Sequence, residues 1–215
     1  MTNVVVTITG PSGSGKTTLE RQLEAKGFGK AISTTTRDMR PGETTGVDYH
    51  FVSHEEFASL HDSGHFVESV KFGKDFYAVA AHELEKHFIN DKPVVLVCEP
   101  NGMKQIKEFC RKMGWRHLQL FVTNDHEILI ERYLNRLDGN FFGNLPYHAK
   151  RIADIGDEMR WEGMNLYDEV FHCFNESTEA AIISWIVDRT SRLQGKVPAP
   201  GPSTWRFEQE FSFIA

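Results

Sequence analysis

The chain has 215 residues with 40% hydrophobic and 25% charged positions, the balance of an ordinary globular protein able to build a substantial core and not of a collagen-like, disordered or disulfide-stapled chain. Lys and Arg total 24 against 30 Asp and Glu, a net charge of -6, so a general nucleic-acid surface is disfavoured while a local anion site remains open. Cys98, Cys110 and Cys173 are odd in number, far apart and without metal-ligand spacing, and read as small apolar core side chains of a protein in a reducing compartment. The apolar run Val94 to Cys98 is much shorter than the ~20 residues of a membrane helix, and Met1-Thr2-Asn3 does not resemble a secretory start, so the expected location is cytoplasmic, with no membrane partner.

In chain order, Val4-Val5-Val6-Thr7-Ile8 predicts a buried strand closed by Gly10-Pro11, and Leu19 and Leu23, four apart, predict a helix after it. Between residues 30 and 80 short alternating segments such as Val47 to Val52 suggest a small mixed insertion, interrupted by a helix start with capping-box spacing at Ser53-His54-Glu55-Glu56. Val94 to Cys98 and Leu118 to Val122 are further strands. Each is followed by helical spacing, Met103, Ile106, Cys110 and Met113 after the first and Ile128, Leu129 and Leu134 after the second. Alternating strands and helices imply a parallel sheet with helices on both faces, an α/β class. Residues 138 to 146 read as a mobile loop, Phe171 to Phe174 as another core strand, and Ser177 as the cap of a last helix presenting Ile182, Trp185 and Ile186. From Gly195 a proline-rich tail carries Trp205, Phe207, Phe211 and Phe213, which leaves two readings open: a tail packed on the body, or one packed on a second copy in a homodimer.

Gly10-Pro11-Ser12-Gly13-Ser14-Gly15-Lys16-Thr17 satisfies G-x-x-x-x-G-K-[ST] between a strand and a helix. Glycines let the backbone N–H groups wrap a polyphosphate, the helix N-terminus favours negative charge, Lys16 reaches the outer phosphates, and the Thr17 hydroxyl can ligate magnesium. Such loops serve motors, switches, transporters and small kinases, so the acceptor must be read elsewhere. Ser33 to Ser53 places Arg37 and Arg40 beside hydroxyls and Tyr49, which suits a second anion site; from the residues alone, two solvated loop arginines are an equal reading.

That segment closely resembles the guanylate kinase family, whose pattern is S-x-T-T-R-x-x-R-x-G-E-x-x-G-x-D-Y-x-F, and with the phosphate loop it makes two long motifs in the right order. The resemblance extends over residues 3 to 190. It implies a P-loop nucleoside monophosphate kinase fold, a central parallel sheet flanked by helices, divided into a core of residues 1–32 and 81–194, an inserted monophosphate-binding subdomain of 33–80 and a lid at about 137–150, with 195–215 as a tail. Phe66-Val67-Glu68 resembles F-[IV]-E, whose glutamate reads guanine. Phe76-Tyr77 resembles Y-Y, whose second tyrosine touches the monophosphate. Cys98-Glu99-Pro100-Asn101-Gly102 stands at I-D-x-Q-G, putting Glu99 near the base. Arg132, Arg136 and Arg151 resemble the arginines around the lid, and Asn175 the asparagine beside the ATP adenine. Bland alternatives stand beside these: Glu99 as a helix N-terminal acid, Asn175 as a turn cap, the three arginines as surface ion pairs.

The resemblance therefore implies ATP-dependent phosphorylation of GMP or dGMP with magnesium. ATP would be held by Gly10, Pro11, Ser12, Gly13, Ser14, Gly15, Lys16, Thr17, Thr18, Arg132 and Asn175. The guanine monophosphate would be held by Ser33, Arg37, Arg40, Tyr49, Glu68, Tyr77, Val79 and Glu99, with Lys16, Arg40, Arg136 and Arg151 catalytic and Thr17 on the metal. The chain departs from the family at Val97, where the first aspartate of L-D-x-D stands. It departs again at Val79, where a hydroxyl reaches the base, and in the lid, where Arg136 and Arg151 are further apart and Phe141-Phe142 replaces acidic residues. A kinase for a deoxy or modified purine monophosphate is the nearer alternative. A non-enzymatic scaffold of the same fold fits poorly with an intact phosphate loop.

Overall fold

The computed structural model describes residues 2–137 and 144–196. The expected features Phe141-Phe142 and the aromatic positions of the tail lie outside those residues.

Strand β1 (Val4–Thr9) is buried at every position, which is why its sequence is an unbroken β-branched run and not an alternation of apolar and charged residues. It lies at the centre of a five-stranded, all-parallel sheet with β2 (Gly29–Lys30), β7 (Val94–Val97), β8 (Arg116–Thr123) and β9 (Glu169–His172), in the order β2-β7-β1-β8-β9. Val4, Val6 and Ile8 point to one face and pack under α1 (Lys16–Ala25) and α7 (Glu176–Leu193) through Leu19, Leu23, Ile182 and Ile186. Val5 points to the other, with Val94 and Leu96, under α3 (Ala81–Phe88) and α4 (Pro100–Met113) through Leu84, Ile106 and Cys110. Helices α5 (His126–Asn135) and α6 (Leu145–Met159) form a separate small core of Leu129, Tyr133 and Ile155.

A second sheet, β4-β3-β6-β5, is made of β3 (Thr34–Thr35), β4 (His50–Phe51), β5 (Phe66–Phe72) and β6 (Asp75–Ala80), with α2 (His54–Asp62) between β4 and β5. Its β5–β6 hairpin is antiparallel, and a bulge at the start of β5 sets the register so that Glu68 stands opposite Val79. Ser53 caps α2 by accepting the Glu56 N–H at 3.1 Å, as its spacing predicts.

Three expectations are corrected. Helix α7 is capped by Asn175, whose Oδ1 accepts the Thr178 N–H at 2.9 Å, and not by Ser177, which lies inside the first turn. The last strand is Glu169–His172, at the edge of the sheet, with Phe174 exposed. Leu145 and Pro146, expected in a loop, open α6, where a proline in the first turn costs no hydrogen bond.

The two sheets are tied together at Glu83 on α3, which is 3% exposed. Its carboxylate accepts the Ile32 N–H at 2.8 Å on the core side, His50 Nε2 lies 3.2 Å from it on β4, and Lys86 Nζ donates at 2.6 Å. Burial works to raise the Glu83 pKa, but Lys86, Ile32 and His50 together hold it below the ordinary carboxylate value of 4.5. A carboxyl depressed on folding contributes stability above its unfolded pKa and loses it as pH falls through the folded one. Glu83→Gln is therefore expected to lower unfolding stability by about 1–3 kcal/mol at pH 7. Wild type and variant should converge once the pH falls below the depressed folded pKa, in strong acid. Denaturant titrations at the two pH values check this, and a pH-independent difference would remove the charge from the explanation.

Candidate active site

A cleft of about 1020 Å³ lies above the carboxyl ends of β1 and β7, between the parallel sheet, the second sheet and α6. Ligands in open parallel sheets settle at this end because loops there lead into helix N-termini. The described residues bring almost every expected site residue to this one cleft. Gly10, Ser12, Gly13, Gly15, Lys16, Thr17, Thr18, Arg132, Arg136, Arg151 and Asn175 line one side. Ser33, Arg37, Arg40, Tyr49, Glu68, Tyr77 and Glu99 line the other. Pro11, Ser14 and Val79 do not line it.

The loop between β1 and α1 is held in shape from below. Gly13 has φ +90, and a Cβ there would stand 2.7 Å from the Leu129 carbonyl, so this position needs glycine both for its dihedral and for its closeness to α5. Lys16 folds back, donating to the Gly10 and Pro11 carbonyls at 2.7 Å each. Burial lowers its pKa to about 8, with Glu158 opposing that shift and Arg136 and Arg151 adding to it. Arg132 donates to the Gly13 carbonyl at 3.3 Å and to the Cys173 and Phe174 carbonyls at 3.0 and 3.1 Å, so it clamps the loop to the end of β9. Arg136 reaches the Ser12 hydroxyl at 3.4 Å. Burial first, and then the nearby Arg40 and Arg151, lower its pKa from the ordinary value. Arg40, beside the second sheet, and Arg151 on α6 thus both act on Arg136 at the end of α5.

Arg37 is positioned by a residue the sequence reading did not single out. Glu43 accepts from its two terminal nitrogens at 3.0 and 2.8 Å and takes the Arg40 N–H at 2.8 Å, while the guanidinium lies 5.3 Å from the Tyr49 ring centre. Burial opposes the Arg37 charge, yet Glu43 raises its pKa above the ordinary value. Tyr49 and Tyr77 meet edge to face at 6.0 Å. The signal for Glu43 was the glutamate inside the quoted motif.

Deeper in the cleft Glu68, Val70 and Phe72 alternate onto the same face of β5. Glu68 is 3% exposed, and burial, then Glu99, push its pKa up to about 8, opposed by the Val79 backbone N–H. Val79 therefore takes part through its backbone, while its side chain is 1% exposed in the core with Leu84 and Ile106. The Glu68 carboxylate rests against Gly102 on α4, where any Cβ would overlap it. Glu158 on α6, also absent from the sequence reading, joins the loop to Arg151: Oε2 accepts the Ser12 N–H at 2.7 Å and Oε1 lies 3.4 Å from Arg151 Nη1. Its spacing from Arg151, two turns along one helix face, was the available sign.

The profile of the guanylate kinase family matches residues 1–144. The chain belongs to the guanylate kinase family. It is 32% identical over 163 residues to the guanylate kinase of Campylobacter jejuni strain RM1221, covering 74% of this chain and 77% of that one. It is 36% identical over 168 residues to the guanylate kinase of Lactiplantibacillus plantarum, covering 77% of each. In fold it is similar to the crystal structure of guanylate kinase from Anaplasma phagocytophilum, with a TM-score of 0.65 over 90% of this chain and 86% of that one at 24% identity. Guanylate kinase family membership makes this chain a nucleoside monophosphate kinase, a phosphotransferase. No helix among the described residues is long and apolar enough to cross a membrane.

The buried acid at the cleft floor gives a stability prediction for this family member. With a folded pKa near 8 and an ordinary value of 4.5, the folded state keeps the Glu68 proton while the unfolded chain releases it. Stability then falls as pH rises from about 4.5 towards 8, at up to about 1.4 kcal/mol per pH unit. Glu68→Gln should melt close to wild type at pH 4.5 and increasingly above it by pH 8; parallel melting curves across that range would contradict the assignment.

Proposed function

We propose that this kinase transfers the terminal phosphoryl group of ATP to GMP or dGMP. The observation that carries this reading is one cleft with two separate anion-holding sets, the phosphate loop with Lys16, Arg136 and Arg151 on one side and Arg37, Arg40, Tyr49 and Tyr77 on the other.

ATP would lie with its phosphates against the loop amides, Lys16 and the start of α1, and with Asn175 and Arg132 towards the adenosine end. The acceptor phosphate would lie between Arg37 and Arg40, Glu43 fixing the Arg37 guanidinium and the Arg40 backbone before substrate arrives. Its base would reach Glu68, with Ser33 and Glu99 alongside. A carboxylate accepting two N–H groups answers guanine's ring N–H and exocyclic amine, and those bonds would draw Glu68 into its charged form. Phosphoryl transfer to an existing phosphate oxygen needs no strong base, so Lys16, Arg40, Arg136 and Arg151 act by placing the reactants in line and balancing charge on the moving group.

The donors fit magnesium sparingly. Thr17 is exposed and lines the cleft, Val97 offers no side-chain oxygen, and Glu99 lines the cleft just beyond the end of β7. Thr17 would hold the ion, which when bound supplies charge neutralisation to the phosphates; a cation that keeps most of its water needs few protein ligands. No group of three or more His, Cys, Asp or Glu suited to a metal occurs among the described residues.

The test is a kinetic split. Arg37→Ala should raise the Michaelis constant for GMP at least tenfold while leaving that for ATP within about twofold, since a charge-assisted hydrogen bond is worth ~1.5–3 kcal/mol. Equal effects on both substrates would place Arg37 elsewhere. Lys16→Met should lower turnover by two orders of magnitude or more with an unchanged fold, and turnover within tenfold of wild type would overturn the donor side.

Val79 supports the base site from behind. Its side chain is apolar, packs in the core with Leu84 and Ile106 and does not line the cleft, while its backbone N–H meets Glu68, so discrimination rests on Glu68 without a hydroxyl from this position. Val79→Ser is expected to leave the preference for GMP over IMP within about twofold and to lower unfolding stability by about 1–3 kcal/mol, the cost of an unpartnered buried hydroxyl. Specificity constants for GMP, dGMP and IMP measure it, and a clear gain for GMP would show that the position faces the base.

A further inference from the structure

The phosphate loop is not simply open to solvent. Glu158, 5% exposed, sends one carboxylate oxygen to the Ser12 N–H at 2.7 Å, and that amide belongs to the loop that faces the cleft. The other oxygen lies 3.4 Å from Arg151, which Asp154 also holds, at 3.2 Å. Lys16, Arg136 and Arg151 gather around the same spot, with Arg40 close to Arg136. Positive groups brought this close repel one another and are disfavoured by loss of water; a single carboxylate on the loop amide offsets both effects.

A carboxylate here has the sign of a phosphate and the acceptor geometry of one of its edges, and it sits on a donor of the phosphate-holding loop. We propose that Glu158 is a built-in occupant of the phosphate seat, which an incoming polyphosphate must displace from the Ser12 amide. The proposal rests on reading the loop as the ATP site. Glu158 keeps the cationic groups assembled without nucleotide and lowers the affinity of the loop for phosphate, so that it sets how readily the donor binds and leaves. Because Asp154 holds Arg151 independently, Glu158 can leave Ser12 without setting Arg151 loose. A fixed strut at the same position would behave in the opposite way, since its loss would loosen the loop and weaken binding.

The discriminating experiment is calorimetric titration of metal-free pyrophosphate into the full chain and into Glu158→Gln at pH 7. Glutamine can still accept the Ser12 N–H but carries no charge. The expected result is binding at least fivefold tighter in the variant, together with a larger rise of its melting temperature at saturating pyrophosphate. Equal or weaker binding in the variant, with wild type binding normally, overturns the proposal and leaves the loop assignment standing. Absence of binding in both proteins overturns the loop assignment as well. Should Glu158→Gln fail to fold, nuclear magnetic resonance of the wild type decides. The Glu158 carboxylate carbon and the Ser12 amide should shift together on adding pyrophosphate, and a shift of Ser12 with Glu158 unmoved counts against displacement.

Discussion

The constraint on which the rest of this structure depends is the crowding of positive charge at one end of a parallel sheet. Lys16, Arg40, Arg136 and Arg151 line one cleft, burial takes part of the hydration from Lys16 and Arg136, and nothing in such an arrangement favours the folded protein by itself. It persists because the surrounding structure over-determines it. Lys16 is turned onto two carbonyls, Arg132 clamps three more, Glu43 braces Arg37, and Glu158 lies against the loop. The cleft is thereby poised for a ligand that brings several negative charges and accepts many hydrogen bonds, which is the description of a polyphosphate.

The same logic works with opposite sign at the cleft floor. Glu68 is buried beside Glu99 and, among the described residues, a backbone N–H alone steadies it, so it resists ionisation until a partner offers donors. Gly102 makes that burial sterically feasible by leaving room for the carboxylate against α4. Both ends of the cleft therefore hold titratable groups in surroundings that cost stability in the free protein, a common trade between function and stability. Glu83, paired on every side, shows the contrast: a buried acid whose partners are all within the protein and whose task is to tie two sheets together.

Much of this was legible in the sequence because the decisive signals are local. The phosphate loop needs consecutive residues between a strand and a helix, and the continuous run Val4 to Ile8 could belong only to a strand covered on both faces. Arg37, Arg40 and Tyr49 stand within one segment for the same reason. What escaped depends on tertiary placement. Glu158 is one acid among several on α6, and only folding brings it to Ser12, 146 residues away in the chain. Val79 shares the strand alternation of Tyr77, but its depth behind Glu68 follows from the bulge in β5 and the packing of α3. The cap of α7 went to Asn175 and not Ser177 because an asparagine at the strand end reaches the Thr178 amide first, a choice of two residues that propensity alone does not separate.

The central claim, that one cleft joins a donor site to an acceptor site, is tested most directly by following the label from ATP carrying a radioactive γ-phosphate in the presence of GMP and magnesium. The account predicts that the label appears in the β-phosphate of GDP, in amounts equal to the ADP formed. Label released as free phosphate, or no transfer with GMP and dGMP alike, would contradict it.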